Sequence, residues 1–171
     1  DGDNSFTVAS GYTEGHSGRA SALGEFNSDK YLDYASCYFD GVRIFTGASD
    51  ARFFLTSTIF IPDSALSVNC ADFNGDGFDD LIVGAPSDET YSLHAGKSYV
   101  IFGKSSNFSP TIELKNLNGT NGFEVLGIDG TIDPVSGDGT DRAGFSVSSA
   151  GDVNGDGLDD LLIGAPYVDK E

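Results

Sequence analysis

Basic residues are scarce in this chain. Lysine and arginine together number 9 against 27 aspartates and glutamates among 171 residues, so the formal net charge is −18. Nucleic acid is not expected as a partner, because no basic stripe is available to neutralise its phosphates. Long apolar runs are also lacking, and none approaches the roughly 20 residues that a membrane-spanning helix needs. The sequence therefore predicts neither a nucleic-acid-binding protein nor a membrane span.

Cysteine and histidine are nearly absent, with two residues of each. Cys37 and Cys70 fall on different predicted strands, and the sequence does not show whether they meet, so buried free thiols are the expectation. His16 and His94 lie in polar loops rich in glycine and serine, and neither sits in a recognisable nucleophile motif. Because no recognisable catalytic motif is present, we expect no enzyme.

The chain contains instead a repeated acidic phrase. Residues 72–80, here called loop 2, read Asp-Phe-Asn-Gly-Asp-Gly-Phe-Asp-Asp, and residues 152–160, loop 3, read Asp-Val-Asn-Gly-Asp-Gly-Leu-Asp-Asp. Each copy runs directly into an apolar strand that ends in Gly-Ala-Pro, at residues 81–86 and 161–166. Oxygen-bearing side chains at positions 1, 3, 5 and 9, with glycine at position 6 for a sharp turn, let a hard cation collect several oxygens from one loop. The repeat therefore predicts two strong Ca²⁺ sites.

The predicted ligands are the side chains at positions 1, 3, 5 and 9 and the backbone carbonyl at position 7. They are Asp72, Asn74, Asp76, Phe78 and Asp80 in loop 2, and Asp152, Asn154, Asp156, Leu158 and Asp160 in loop 3. An EF-hand is the obvious alternative, but it requires a bidentate glutamate at position 12 and a helix on each side. Position 12 is Val83 or Ile163, and the flanking runs are short and β-compatible. Both loops are therefore expected to join two strands.

A third and less regular copy, loop 1, occupies residues 25–33. It offers oxygens at the same five positions, from Glu25, Asn27, Asp29, Tyr31 and Asp33. Lys30 replaces the turn glycine, so a non-glycine residue is expected in a left-handed conformation, with its positive charge beside the ion. Loop 1 is therefore expected to bind Ca²⁺ more weakly than the other two, or not at all.

The spacing of the loops favours a β-propeller. Loops 1 and 2 begin about 47 residues apart, a period typical of propeller blades, and loops 2 and 3 begin about 80 apart. Insertions at 87–95 and 128–142, rich in Asp, Gly, Ser and Thr, account for the longer interval and are expected to be surface loops. We predict an all-β fold of four-stranded antiparallel blades, about three of them partial or complete, in a single region covering 1–171.

The expected repeats cover about 20–61, 65–127 and 144–171, the last incomplete, with an orphan outer strand and a loop at 1–19. The expected strands lie at 33–39, 42–47 and 52–61 in the first repeat, and at 65–70, 79–84, 97–103 and about 122–127 in the second. Asp40-Gly41 is a strong hairpin signal between the first two of these strands.

These motifs resemble a known family. Residues 145–166 read Phe-Ser-Val-Ser-Ser-Ala-Gly-Asp-Val-Asn-Gly-Asp-Gly-Leu-Asp-Asp-Leu-Leu-Ile-Gly-Ala-Pro. This order resembles an FG-GAP repeat, the blade unit of the integrin α-subunit propeller and of many secreted proteins, and residues 72–86 match it equally well. Two departures stand out: Gly144-Phe145 inverts the Phe-Gly half of the signature, and Cys37-Tyr38-Phe39 stands where Gly-Ala-Pro would follow loop 1. The resemblance covers most of 20–171.

An extracellular Ca²⁺-binding scaffold for adhesion or protein-ligand recognition is the expected function, with structural calcium. Calcium loops of this type saturate readily in extracellular fluid, and Asn107-Phe108-Ser109 and Asn118-Gly119-Thr120 are glycosylation sequons, so a secreted or cell-surface location is expected. No signal peptide is visible at Asp1, so any such segment is expected to have been removed or never included.

Two other functions stay open. One is a calcium-dependent carbohydrate-binding, lectin-like protein, in which the ion or nearby tyrosines contact a glycan; the candidates are Tyr12, Tyr31, Tyr34, Tyr38 and Tyr91. The other is a non-catalytic propeller domain of a secreted hydrolase, similar to the propellers attached to some phospholipases. The expected partners are a protein or glycan ligand, together with other chains or missing sequence that complete the propeller, because a closed ring needs about 4 to 8 blades.

Overall fold

The computed structural model describes Thr7–Val8 and residues 19–61, 65–87, 95–127 and 141–167, and it is all-β. The strands are β1 (Thr7–Val8), β2 (Ser21–Gly24), β3 (Asp33–Tyr38), β4 (Gly41–Gly47), β5 (Arg52–Phe60), β6 (Ser67–Ala71), β7 (Asp80–Ala85), β8 (Lys97–Ile101), β9 (Thr111–Ile112), β10 (Gly122–Leu126), β11 (Ser146–Gly151) and β12 (Asp160–Gly164). Among these residues the only helical segment is a single 3-10 turn, Leu114–Asn116. None of them forms a helix long and apolar enough to cross a membrane.

Three sheets form successive blades. Blade 1 has the order β2-β3-β4-β5 and blade 2 the order β6-β7-β8-β10, while the described part of blade 3 consists of β11 and β12. Neighbouring strands within each of these runs are antiparallel. The first strand of each blade lies beside the first strand of the next. This arrangement confirms the predicted β-propeller blades.

Blade 2 is packed between the other two blades, and the alternation of its side chains explains how. On β7, Leu81 and Val83 belong to the core shared with blade 1, whereas Ile82 between them belongs to the core shared with blade 3. All three side chains are fully buried, and burying one of them stabilises the fold by about 1.5–3 kcal/mol. Because successive side chains of a strand point to opposite faces of the sheet, β7 presents apolar side chains to both neighbouring blades.

Blades 2 and 3 meet at two glycines. The carbonyl oxygen of Gly144 lies only 2.0 Å from the position that a Cβ atom on Gly84 would occupy. The hydroxyl of Ser67 donates a hydrogen bond of 3.1 Å to the same carbonyl. The glycine of the Gly-Ala-Pro sequence in blade 2 is therefore required for close approach of the two backbones, and the inverted Gly-Phe pair provides the opposing group.

The hairpin between β3 and β4 differs by one residue from the expectation. Tyr38 pairs with Gly41, so the two-residue loop is Phe39-Asp40 rather than Asp40-Gly41. Gly41 is the first residue of β4 and has φ of 143°. The carbonyl oxygen of Ile59 would lie 1.9 Å from a Cβ atom there, so the absence of a side chain at Gly41 allows β4 and β5 to pack this closely.

The outer edge of blade 1 is covered in part by two short parallel strands. Thr7–Val8, which lies within the outer strand expected from the sequence, pairs with Arg52 and Phe53 at the start of β5. Near the other end of β5, β9 pairs with Thr58 and Ile59. A segment of blade 2 therefore reaches across to blade 1 and satisfies part of an edge that would otherwise be open.

Both cysteines are free thiols, in agreement with the sequence analysis. Cys37 is fully buried, and burial raises the pKa of its thiol to about 12. Cys70 donates to the carbonyl oxygen of Leu23 in blade 1 at 3.2 Å, and burial raises the pKa of this thiol to about 11. Most of the predicted surface loops at 87–95 and 128–142, together with His16 and His94, lie outside the described residues.

Candidate metal centres

The three acidic loops occupy the same place in successive blades. Each connects the first strand of its blade to the second: loop 1 lies between β2 and β3, loop 2 between β6 and β7, and loop 3 between β11 and β12. The predicted ligand residues are therefore brought to one end of the three blades.

Loop 2 is organised by hydrogen bonds from its backbone to its own acidic and amide side chains. The Asp72 carboxylate accepts from the N–H groups of Gly75 and Gly77, at 2.7 and 2.9 Å. The side-chain oxygen of Asn74 accepts from the N–H of Asp76 at 2.8 Å, and Asp76 in turn accepts from Phe78 at 3.0 Å. The side chains at positions 1, 3 and 5 are thus turned towards the inside of the loop.

Loop 3 repeats this arrangement closely. Asp152 accepts from Gly155 and Gly157 at 2.7 and 3.0 Å. Asn154 and Asp156 accept from the backbone two residues further on, each at 2.9 Å. The glycines at positions 4 and 6 take left-handed conformations in both loops, with φ between 76° and 91°, and this backbone allows one residue pattern to fold identically twice.

The aspartate at position 9 anchors loop 2 to its blade. Asp80 is fully buried, and its carboxylate accepts from Phe73 N–H at 3.0 Å and from Gly103 N–H, just beyond β8, at 2.8 Å. Burial raises the pKa of this carboxyl to about 7; the two backbone hydrogen bonds lower it, and the negative charges of Asp76 and Asp72 raise it further. A buried acid beside two other carboxylates is a favourable place for a cation.

Asp33 has the same role in loop 1. It accepts from Phe26 N–H at 3.1 Å and from Gly47 N–H, at the end of β4, at 3.0 Å. Burial raises the pKa of its carboxyl to about 6. Asp160 in loop 3 is only half-buried, and accepts from Val153 N–H at 2.8 Å and from the Asn154 side-chain amide at 2.9 Å.

Loop 1 keeps the same backbone path despite its substitutions. Lys30 has φ of 70°, the left-handed conformation expected for a residue in place of the turn glycine. Its N–H donates to the Glu25 carboxylate at 3.0 Å. The equivalent bond in loop 2 runs from the Gly77 N–H to the Asp72 carboxylate, so glutamate at position 1 of loop 1 makes the same hydrogen bond as aspartate does in loop 2. Asn27 and Asp29 accept from the backbone two residues further on, at 2.7 and 2.9 Å.

Asp79, at position 8 of loop 2, is a residue that the sequence analysis left without a role. Its carboxylate accepts from Glu25 N–H at 2.8 Å, and its own N–H donates to the Glu25 carbonyl at 2.9 Å. Position 8 of loop 2 is thus fixed to position 1 of loop 1. A signal was present in the sequence, because loops 2 and 3 both carry aspartate at this position whereas loop 1 has Leu32.

The donors of loops 2 and 3 suit a hard cation. Each offers three carboxylates, one amide oxygen and one backbone carbonyl, and calcium prefers such all-oxygen sets. Among the described residues, no three acidic, histidine or cysteine side chains converge into a cluster with metal-site geometry. The loop carboxylates instead accept the backbone N–H groups described above. The residue types and their inward direction fit calcium.

Three of the tyrosines considered as sugar contacts, Tyr31, Tyr34 and Tyr38, lie among the described residues. Tyr34 packs against Phe45 and Phe53, with ring centroids 5.7 and 5.9 Å apart. Tyr38 lies under the Arg43 guanidinium at 4.6 Å, whereas Tyr31 in loop 1 is exposed. Tyr12 and Tyr91 lie outside the described residues.

Comparison with known families gives matches over most of the described chain. A family model described as FG-GAP-like repeat matches residues 25–83. A second, described as FG-GAP repeat, matches residues 67–101 and 143–171. Together they cover more than half of the chain and all three acidic loops.

Individual relatives are similar over part of their length. Integrin alpha-5 of Xenopus laevis is 30% identical over 94% of this chain and 15% of its own length. Phosphatidylinositol-glycan-specific phospholipase D of Bos taurus is 35% identical over 61% of this chain and 11% of its own length. Integrin alpha pat-2 of Caenorhabditis elegans is 33% identical over 61% of this chain and 8% of its own length. The chain thus spans less than a sixth of each relative.

Proposed function

The chain belongs to the FG-GAP repeat family, and from this premise we propose that it is a calcium-binding β-propeller scaffold that acts outside the cell in adhesion or protein-ligand recognition. The observation that carries the proposal is the pair of identically folded acidic loops, each with inward-turned oxygens at positions 1, 3 and 5. Similarity to integrin alpha chains supports the recognition role.

Calcium has a structural part in this proposal. Asp72, Asn74, Asp76 and Asp80, with the carbonyl of Phe78, would hold one ion, and the matching residues of loop 3 would hold a second. Loop 1 would hold a third ion more weakly, because the Lys30 ammonium group adds a positive charge there. When bound, the cation offsets the mutual repulsion of carboxylates in a chain of net charge −18.

A thermal melt tests the structural role. Binding to the native state alone adds roughly 2.7 kcal/mol per site when free calcium is a hundredfold above Kd, so chelation is expected to lower the melting temperature. Asp156→Ala removes one predicted ligand of loop 3 and is expected to reproduce part of that loss. Asp159→Ala, three residues further on and outside the predicted ligand set, is the matched control. Unchanged melting in chelator would contradict the structural role.

The proposed location and partner are supported by the relatives and by two exposed sequons. Asn107 and Asn118 are both exposed, as glycosylation in the secretory pathway requires. The expected partners are a protein ligand and further chains or sequence that complete the propeller. Probing an array of extracellular proteins with the chain is the test, and retention of a protein in calcium but not in chelator is the expected result. If a protein is retained equally in calcium and in chelator, or if no protein is retained, the result would count against the recognition role.

A second candidate function rests on one comparison. The similarity to phosphatidylinositol-glycan-specific phospholipase D favours a non-catalytic propeller domain attached to a secreted hydrolase. We assign the chain itself a binding rather than a catalytic role in both cases. The full-length gene separates the two candidates, since a hydrolase domain would be encoded beside these repeats in only one of them.

A further inference from the structure

A cleft of about 270 Å³ lies on blade 2, and none of the residues that line it belongs to loop 2. It forms where the connection between β8 and β10 folds back over the end of β8. Its volume is just below the range of about 300–1,000 Å³ typical of small-molecule sites, so it can enclose a ligand of one or two rings. Neither the family comparisons nor the acidic loops assign it a role.

The lining of the cleft combines apolar walls with uncharged hydrogen-bonding groups, and Lys104 and Glu113 add one charge of each sign. Ile101, Phe108 and Leu117 provide apolar surface, and Ser109, Thr111 and Asn116 provide two hydroxyls and an amide. These three polar side chains have no hydrogen-bond partner among the residues that the structure describes. The Lys104 ammonium covers the Phe108 ring, 5.4 Å from its centroid. Such a lining suits a neutral ligand that has several hydroxyl groups and one apolar face, which is the chemistry of a sugar ring.

Both glycosylation sequons contribute to this same cleft. Phe108 and Ser109 belong to the sequon of Asn107, and Thr120 belongs to that of Asn118. The side-chain oxygen of Asn118 accepts from the N–H and the hydroxyl of Thr120, at 3.0 and 2.7 Å. Its side-chain nitrogen, the atom to which an N-linked glycan is attached, has no hydrogen-bond partner in the described part of the chain. A glycan on Asn118 would therefore begin beside the cleft.

We propose that the cleft binds one sugar ring of the N-acetylhexosamine class. The ring comes either from an N-glycan carried by this chain on Asn107 or Asn118, or from a glycan of a partner. The chemistry of recognition is the same in both cases: hydroxyls and the acetamido group bond to Ser109, Thr111 and Asn116, and the apolar face of the ring packs against the aliphatic wall. Only the first source rests on the proposed extracellular location.

The first experiment uses the chain produced without glycosylation, in calcium. N-acetylglucosamine and its β1,4-linked disaccharide are titrated while the backbone amide signals are followed by NMR. Saturable shifts confined to residues around the cleft are expected, with Kd on the order of a millimolar for the monosaccharide. Asn116→Ala is expected to weaken binding about three- to tenfold through one lost hydrogen bond. Asn107→Ala, which removes an exposed asparagine that is not among the lining residues, is the matched control.

Two results of this titration would overturn the proposal. One is the absence of saturable shifts at the cleft in a chain that gives a well-dispersed spectrum. The other is equal weakening by Asn116→Ala and Asn107→Ala, since the effect would then not arise from the cleft. The spectrum of each variant reports folding, so a misfolded variant is recognised and replaced by Ser109→Ala.

The second experiment distinguishes the sources and uses the chain secreted by eukaryotic cells. If the chain's own glycan fills the cleft, the same amides are shifted without added sugar, added N-acetylglucosamine no longer binds, and Asn118→Gln or Asn107→Gln restores binding. If the chain is glycosylated but binds added sugar as tightly as the unglycosylated form, the occupant belongs to a partner. If the secreted chain carries no glycan at either sequon, its own glycan is excluded as the occupant of the cleft. That result also counts against the proposed extracellular location. The first experiment still decides whether the cleft binds sugar.

Discussion

The stability of the calcium-free chain is expected to fall as the pH rises. Asp33 and Asp80 are the cause. Burial raises the pKa of Asp33 from 3.8 to about 6 and that of Asp80 from 3.8 to about 7. The folded chain therefore holds protons on these two groups over a range in which the unfolded chain has released them. The resulting stabilisation is fully present below about pH 4 and is lost as the pH rises through 6 and 7.

The magnitude follows from the two shifts. One pKa unit corresponds to about 1.36 kcal/mol, so the two together amount to roughly 7 kcal/mol before screening. About 4 kcal/mol of this stabilisation is lost between pH 5 and pH 8, because the rest has already been lost between pH 4 and pH 5. Water and salt reach the loops and reduce the effect, so about 2 kcal/mol is expected over this interval. In a chain of this size 1 kcal/mol shifts the melting temperature by about 2–4 °C. The chelated protein is therefore expected to melt about 4–8 °C lower at pH 8 than at pH 5.

Thermal melts in chelator and in calcium are the assay. In calcium the trend is expected to reverse, because protons compete with the cation for the same oxygens. Asp80→Asn removes the group with the larger shift and is expected to reduce the dependence on pH by about two thirds. It also lowers stability, because the asparagine amide cannot accept both backbone hydrogen bonds that the carboxylate accepts. Asp159→Asn is the control. A chelated chain that melts at pH 8 at the same temperature as at pH 5, or higher, would refute the reasoning.

Three further predictions concern single residues. Gly84→Ala is expected to destabilise the chain by about 2–4 kcal/mol in denaturant unfolding, because the carbonyl of Gly144 lies 2.0 Å from the new Cβ atom; a loss under 0.5 kcal/mol would show that the blades separate easily. Lys30→Gly is expected to stabilise the chain by about 1 kcal/mol and to tighten calcium binding to loop 1, because it relieves a φ of 70° and removes a positive charge; calorimetry would contradict this if affinity were unchanged or lower. Cys37 and Cys70 are expected to react with iodoacetamide at pH 8 only after unfolding, because burial raises the pKa of both thiols; rapid labelling of the native chain would be the opposite result.

The blades were predictable because their signals are local and repeated. Two copies of one acidic loop, each followed by an apolar strand, place β6, β7, β11 and β12 to within a few residues. The alternation of Leu81, Ile82 and Val83 between two cores follows from the period of a strand packed on both faces. The left-handed conformation of Lys30 followed from its alignment with glycine.

The contacts between blades were not predictable, because they join residues far apart in sequence through backbone atoms. The hydrogen bonds between Glu25 and Asp79 span 54 positions, and the aspartate that loops 2 and 3 share at position 8 indicates a role without indicating its partner. The parallel pairing of β9 with β5 depends on where a long connection happens to cross a neighbouring blade. The cleft beneath that connection was missed for the same reason, since Ser109 and Asn116 become neighbours only after the chain folds back.

Calcium content is the most direct test of the central claim, that loops 2 and 3 are built to hold calcium. The purified 171-residue chain is dialysed against buffer with micromolar calcium, and bound calcium is measured by elemental analysis. About two calcium ions per chain are expected, with a third at higher calcium concentration, and one fewer in Asp76→Ala. Less than one bound calcium per chain, in protein that remains folded, would contradict the account.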